Sequence, residues 1–133
     1  MNAYKKFTLD GLQHKGRILS VYDGDTFIAG IPFMDDKFQF KFRISKIDTP
    51  EIRKEFDKAM QSRNKFLQLC GLDIDLHSKL TKKEIENLLK NTIIEVDIFC
   101  KKHEKYGRIL CDVFKNDVDI GQKLIEENFA KRY

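Results

Sequence analysis

The chain has 133 residues, 41% of them hydrophobic, which is enough for one domain with a core that needs no disulfide or metal staple. Its 25 Lys and Arg against 21 Asp and Glu leave a net charge of +4, a balance that permits a polyanionic partner but argues for one only if the charges cluster. No run of about eighteen apolar residues occurs, so no membrane-spanning helix is expected, and eleven Phe with no Trp point to a core of Phe, Ile and Leu.

Residues 1–15 read as a polar, weakly patterned lead-in without the apolar stretch of a signal segment. Arg17 to Tyr22 is strand-like, and the turn pair Asp23-Gly24 leads into a second strand, Asp25 to Ile31, closed by Pro32. After a turn at Met34 to Lys37, Phe38, Phe40 and Phe42 alternate with Gln39, Lys41 and Arg43, the period-two pattern of a half-buried strand with Arg43 turned from the core. The alternation slips between Ile44 and Ile47, which predicts a bulge or bend at Ser45 and Lys46 that swings Asp48 to the side of Arg43.

Beyond Pro50, apolar positions from Phe56 to Cys70 recur at three and four, predicting a helix from about Arg53 to a stop at Gly71. Thr81-Lys82-Lys83-Glu84 has capping-box spacing, and Ile85, Leu88 and Leu89 form a short stripe expected to face the preceding helix. Ile94 to Phe99 and Arg108 to Phe114 read as two further strands. Asp119 and Gln122 are placed to cap a last helix carrying Ile120, Leu124, Ile125 and Phe129. The order predicts an α+β fold, a five-stranded OB-type Greek-key barrel with about three packed helices, filling residues 1–133 as a single domain.

Nine residues, Arg43 to Glu51, gather a guanidinium, two carboxylates, a hydroxyl and a proline. Asp25 and Asp48 are expected at neighbouring strand ends, with Asp23 close by. Aspartates at turns commonly serve turn geometry alone, but like charges brought to one point are unfavourable unless a cation neutralises them. An oxygen-ligand metal site is the reading favoured for the set, with positions left open to water and substrate. Glu51 could hold or deprotonate a water, or could simply be an acid at a helix start. Arg43 and Arg108 leave strand ends on polar positions, and a guanidinium fork matches two phosphate oxygens. Lys105-Tyr106-Gly107 could grip a phosphate and stack on a base, or could be an ordinary hairpin turn. Cys70, Cys100 and Cys111 cannot all pair and show no C-x-x-C spacing, so neither a disulfide framework nor zinc is indicated and a reducing, intracellular setting is expected.

Together, V-Y-D-G-D-T at Val21 to Thr26, F-R-I-S-K-I-D-T-P-E at Phe42 to Glu51 and K-Y-G-R at Lys105 to Arg108 resemble the thermonuclease family, of the staphylococcal nuclease type. The likeness runs from about Arg17 to Lys131. It implies an OB-fold barrel that binds one Ca²⁺ and cleaves DNA and RNA, single- or double-stranded, with little sequence preference, leaving 3′-phosphate ends. By position it implies that Asp25, Asp48 and the Thr49 carbonyl bind the metal, with Asp23 behind them. It likewise makes Arg43 and Arg108 the phosphate-binding arginines, Glu51 the residue that positions or activates water, and Lys105 and Tyr106 the lining of the nucleotide pocket. No protein partner or membrane is implied, and a monomer is expected.

The chain departs from the family in a shorter loop after Glu51, an inserted segment at about Leu72 to Asn91, and a finish at Lys131-Arg132-Tyr133, before the family's nucleotide-facing tyrosines. The rival reading is a non-catalytic OB-fold nucleic-acid-binding module of the same family. Relatives of that kind typically lack the acids and arginines retained here.

Overall fold

The computed structural model describes residues 9–33, 35–103 and 107–133. In chain order its elements are β1 (Gln13–Val21), β2 (Thr26–Phe33), β3 (Asp36–Ile44), β4 (Ile47–Asp48), α1 (Phe56–Cys70), α2 (Lys82–Asn91), β5 (Glu95–His103), β6 (Ile109–Lys115), β7 (Val118–Asp119), α3 (Ile120–Glu126) and β8 (Lys131–Arg132). The long strands pair in the order β3-β2-β1-β5-β6, each neighbour antiparallel, and a parallel pairing of β3 with β6 closes the ring. Phe42 stands opposite Ile109, Arg43 opposite Leu110 and Ile44 opposite Cys111 across that seam. The result is the closed five-stranded barrel with three helices that the element order predicts.

Alternation fills the barrel from both sides of every pairing. Phe27 and Phe42, partners across β2 and β3, stack with ring centroids 5.4 Å apart, and Phe66 of α1 meets Phe27 at 5.3 Å, joining the helix to the barrel core. Cys100 and Cys111 face each other across β5 and β6 in this core, and burial raises the Cys100 thiol to about 11.

Four expectations change. Gln13 to Gly16 belong to β1 and pair with β5, because Gly16 lies where any side chain would strike Ile98, so its core-facing position carries no apolar signal. The first helix begins at Phe56, and Phe56 itself is 47% exposed. The last helix ends at Glu126, before Phe129, which still packs against the core from the segment that follows. Finally, α2 packs chiefly on β1 and not on α1, with Ile85 and Leu89 buried and Leu88 turned outward. Arg17 of β1 secures that contact by donating to the Leu89 and Lys90 carbonyls at the helix C-terminus. The capping box forms as predicted, Glu84 N donating to Thr81 Oγ1 and Thr81 N to Glu84 Oε1.

The irregular stretch from Leu72 to Leu80 has no strand partner for its carbonyls, and the buried polar face of α1 supplies donors instead. Gln68 reaches the carbonyl of Ile74, Asn64 those of Leu76 and Ser78, and Arg63 that of Leu80, while Arg63 also braces Asn64 Oδ1. Asn64 is fully buried, so Asn64→Ala strands two carbonyls. It should lower unfolding stability by about 2 to 3 kcal/mol, read as a fall in the urea midpoint. An unchanged midpoint would show that the inserted segment is held by apolar burial alone.

Candidate functional site

The site begins where β1 turns into β2. Asp25 N donates to Asp23 Oδ1 (3.1 Å), and Tyr22 N donates to the Thr26 carbonyl (3.0 Å), closing a tight turn over Asp23-Gly24-Asp25. Gly24 is required there, since a Cβ would lie 2.4 Å from Ser62 Oγ on α1 and 2.8 Å from Thr49. The turn is thus pressed between α1 and the segment carrying the other site residues.

The end of β3 supplies the second half. The predicted slip is a turn at Ser45 and Lys46, with Lys46 in the left-handed region at φ 65°, after which β4 carries Ile47 and Asp48. Arg43 Nη1 braces this turn by donating to the carbonyls of Ile44 (3.1 Å) and Ile47 (3.2 Å). Its Nη2 lies 3.5 Å from Asp25 Oδ2 and 3.6 Å from Asp48 Oδ1, so the guanidinium bridges the two carboxylates. Asp25 is buried and also accepts from Thr26 Oγ1 (3.0 Å) and from Thr49 N (3.2 Å), whereas the Asp48 side chain is 60% exposed. Asp25, Arg43, Asp48 and Thr49 are therefore brought together as the sequence suggests.

Burial of Asp23, reinforced by the carboxylate of Asp25 beside it, pushes the Asp23 carboxyl up to about 7. The pair is electrostatically crowded. Thr49 Oγ1 is buried with no hydrogen-bond partner.

Glu51 stands at the mouth, exposed, with Lys54 Nζ 3.7 Å from its carboxylate, a separation that contributes little in solvent. It lines, with Asp48, Thr49, Lys54, Phe129 and Lys131, an open cleft of about 530 Å³. Arg108 immediately precedes β6, two residues before Leu110, the register partner of Arg43. Lys105 and Tyr106 lie outside the described residues.

The sequence offers Tyr133 only as a partial substitute for the family's nucleotide-facing tyrosines and predicts no element for Lys131 and Arg132, yet all three residues border the site. β8 pairs with β4, Lys131 opposite Asp48 and Arg132 opposite Ile47, and Tyr133 N donates to the Lys46 carbonyl. The Tyr133 ring sits over the Arg43 guanidinium, 5.4 Å to its centroid, while remaining 84% exposed. A two-residue strand of two cations has no readable period, so only the tyrosine beside a basic pair hinted at it.

Among the described residues, no group of three or more His, Cys, Asp and Glu is placed to enclose an ion. The groups that do meet at Arg43, the carboxylates of Asp25 and Asp48, are oxygen donors, the class a hard divalent cation takes, and the Asp23 and Asp25 pair is one a cation would relieve. The residues fit such an ion, which Asp25 and Asp48 would hold. In the structure as described, Arg43 provides their countercharge.

Comparison with known proteins identifies the family. Residues 41–133 match the family model described as staphylococcal nuclease homologue. The chain is also 26% identical over 144 aligned positions to an uncharacterized protein of Methanocaldococcus jannaschii, with 99% of this chain and 65% of that protein covered, so it spans less than two thirds of that relative's length. The barrel and the family match agree, and the chain belongs to the family of staphylococcal nuclease homologues, in general nucleases.

Proposed function

We propose that the protein is a calcium-dependent nuclease that hydrolyses DNA and RNA phosphodiester bonds with little sequence preference and leaves 3′-phosphate ends. The observation that carries this reading is the Asp25-Arg43-Asp48 bridge, whose Asp48 lines the same cleft as Glu51. Ca²⁺, when bound by Asp25, Asp48 and the Thr49 carbonyl, supplies positive charge to the phosphate oxygens.

The protein's own groups do the rest. Arg43, near the end of β3, and Arg108, just before β6, grip the non-bridging oxygens and stabilise the charge that grows on them. Glu51 accepts the proton of a water that attacks phosphorus in line. The bond from phosphorus to the 5′-oxygen breaks, and that oxygen takes a proton from solvent. Asp23 keeps Asp25 aimed through the Asp25 backbone. Lys105 and Tyr106 contact the bound nucleotide. We assign this activity to a single-domain, monomeric unit working inside the cell, where its three buried cysteines stay as thiols.

The test is a plasmid-nicking assay with Ca²⁺ or chelator, paired with Glu51→Gln. The amide keeps the shape of the carboxylate but cannot accept the proton. Glu51→Gln should therefore retain oligonucleotide and Ca²⁺ affinity while losing most of the cleavage rate. Equal loss of binding and rate would instead make Glu51 a ligand or structural acid. Oligonucleotide binding by a wild-type protein that nicks nothing under any metal condition would favour the non-catalytic binding module.

A further inference from the structure

The outer face of β2 and β3 carries cations that have no acid opposite them in the strand register. Lys15 and Arg17 of β1 stand opposite Asp97 and Glu95 of β5, and Arg43 is engaged with Asp25 and Asp48, whereas Lys37 and Lys41 of β3 stand opposite Pro32 and Ile28 with no acid in register. Registers set Arg17 beside Gly30 and Gly30 beside Gln39, with Ser20 beside Ile28 and Ile28 beside Lys41. The missing side chain at Gly30 leaves a trough, and α2 walls it. The resulting groove of about 460 Å³ is lined by Arg17, Leu19, Ser20, Ile28, Gln39 and Lys90, with Glu86 as its one acid. Ser20 lies on its floor, 4% exposed, and its hydroxyl has no hydrogen-bond partner.

We propose that this groove is a second subsite for the nucleic-acid strand, holding nucleotides a few positions from the phosphate being cleaved. The proposal rests on the nuclease reading above. Lys41 and Lys90 hold backbone phosphates, the Leu19 and Ile28 side chains carry the flat face of a sugar or base, and the Ser20 hydroxyl gains the partner it lacks. Continuity with the site supports a strand over any separate ligand. Gln39 and Arg43 lie on the same face of β3 four residues apart, about 13 Å, close to four stacked nucleotide steps of about 3.4 Å. The inserted helix, foreign to the site itself, thereby acquires a role in extending the track.

The experiment measures binding of phosphorothioate-protected oligothymidylates, of about three and about twelve nucleotides, in Ca²⁺ by fluorescence anisotropy over a salt series. For the wild type the longer strand should bind more tightly. Lys41→Glu combined with Lys90→Glu should weaken the longer strand by about 10-fold or more and narrow its advantage over the trimer. The double variant should also reduce the salt slope by about 1 to 1.5, two phosphate contacts at about 0.7 each. Ser20→Ala should weaken the longer strand a few-fold without lowering the urea midpoint. The control, Lys82→Glu with Lys83→Glu at the other end of α2, should leave affinity near wild type. Unchanged length dependence in the groove variant, or an equal loss in the control, overturns the groove while leaving the nuclease reading intact. A wild type that binds neither oligonucleotide overturns both.

Discussion

Arg43→Lys is expected to lower the cleavage rate by about 10²- to 10³-fold, the usual loss for one well-placed donor to transition-state charge. It should also destabilise the fold. Read from the sequence, Arg43 lies on an exposed polar groove where its replacement costs little stability. In the structure its side chain is only 14% exposed, it is the countercharge for buried Asp25, and it braces the Ile44 and Ile47 carbonyls across the turn. An ammonium can face one carboxylate but cannot span two carboxylates and two carbonyls, nor can it grip a phosphate as a fork. Arg43→Ala, leaving Asp25 short of a partner, should cost on the order of 3 kcal/mol, with Arg43→Lys recovering part of the stability and little of the rate. Turnover on linear DNA and urea midpoints measured on both variants separate the two roles. Near wild-type turnover in Arg43→Lys would remove the guanidinium from the mechanism, and unchanged midpoints would show that Asp25 does not depend on it.

The barrel and the centre of the site were legible because their signals are local. Phe38 to Phe42 alternate, Thr81 and Glu84 cap, Gly71 stops a helix at φ 112°, and the broken period at Ser45 and Lys46 marks a turn that turns Asp48 toward Arg43. What stayed hidden depends on contacts distant in sequence. Leu9 is fully buried although its neighbours are polar, and Gly16 fills a core position by having no side chain. The stripe of Ile85, Leu88 and Leu89 specifies an apolar side of α2 but not the partner it meets. The carbonyls of Leu89 and Lys90, capped by Arg17 some seventy residues earlier in the chain, choose β1. The same limit applies to β8, where two residues gain strand geometry only because Ile47 and Asp48 lie alongside.

Removing divalent metal should abolish cleavage and leave a protein whose stability depends on pH in a direction the site sets. Asp23 is held up to about 7 by burial and by Asp25, against an ordinary carboxylate value of 3.8 in the unfolded chain. Between those values the native state holds a proton that the unfolded chain has released. The stabilising contribution is therefore complete below about pH 4 and is lost as pH rises through about 7. Without metal, the urea midpoint should fall from pH 5 to pH 8, and Asp23→Asn should flatten that slope because the neutral amide does not titrate. Added Ca²⁺ should raise the midpoint most at the alkaline end, where Asp23 has lost its proton and a nearby cation offsets the crowding of the two carboxyl groups. Activity and stability should thus respond to the same ion, with cleavage restored by Ca²⁺ after chelation. Full cleavage in exhaustive chelator sinks the metal requirement. A Ca²⁺-dependent midpoint shift that survives replacement of both Asp25 and Asp48 by Asn would place the ion elsewhere on the protein.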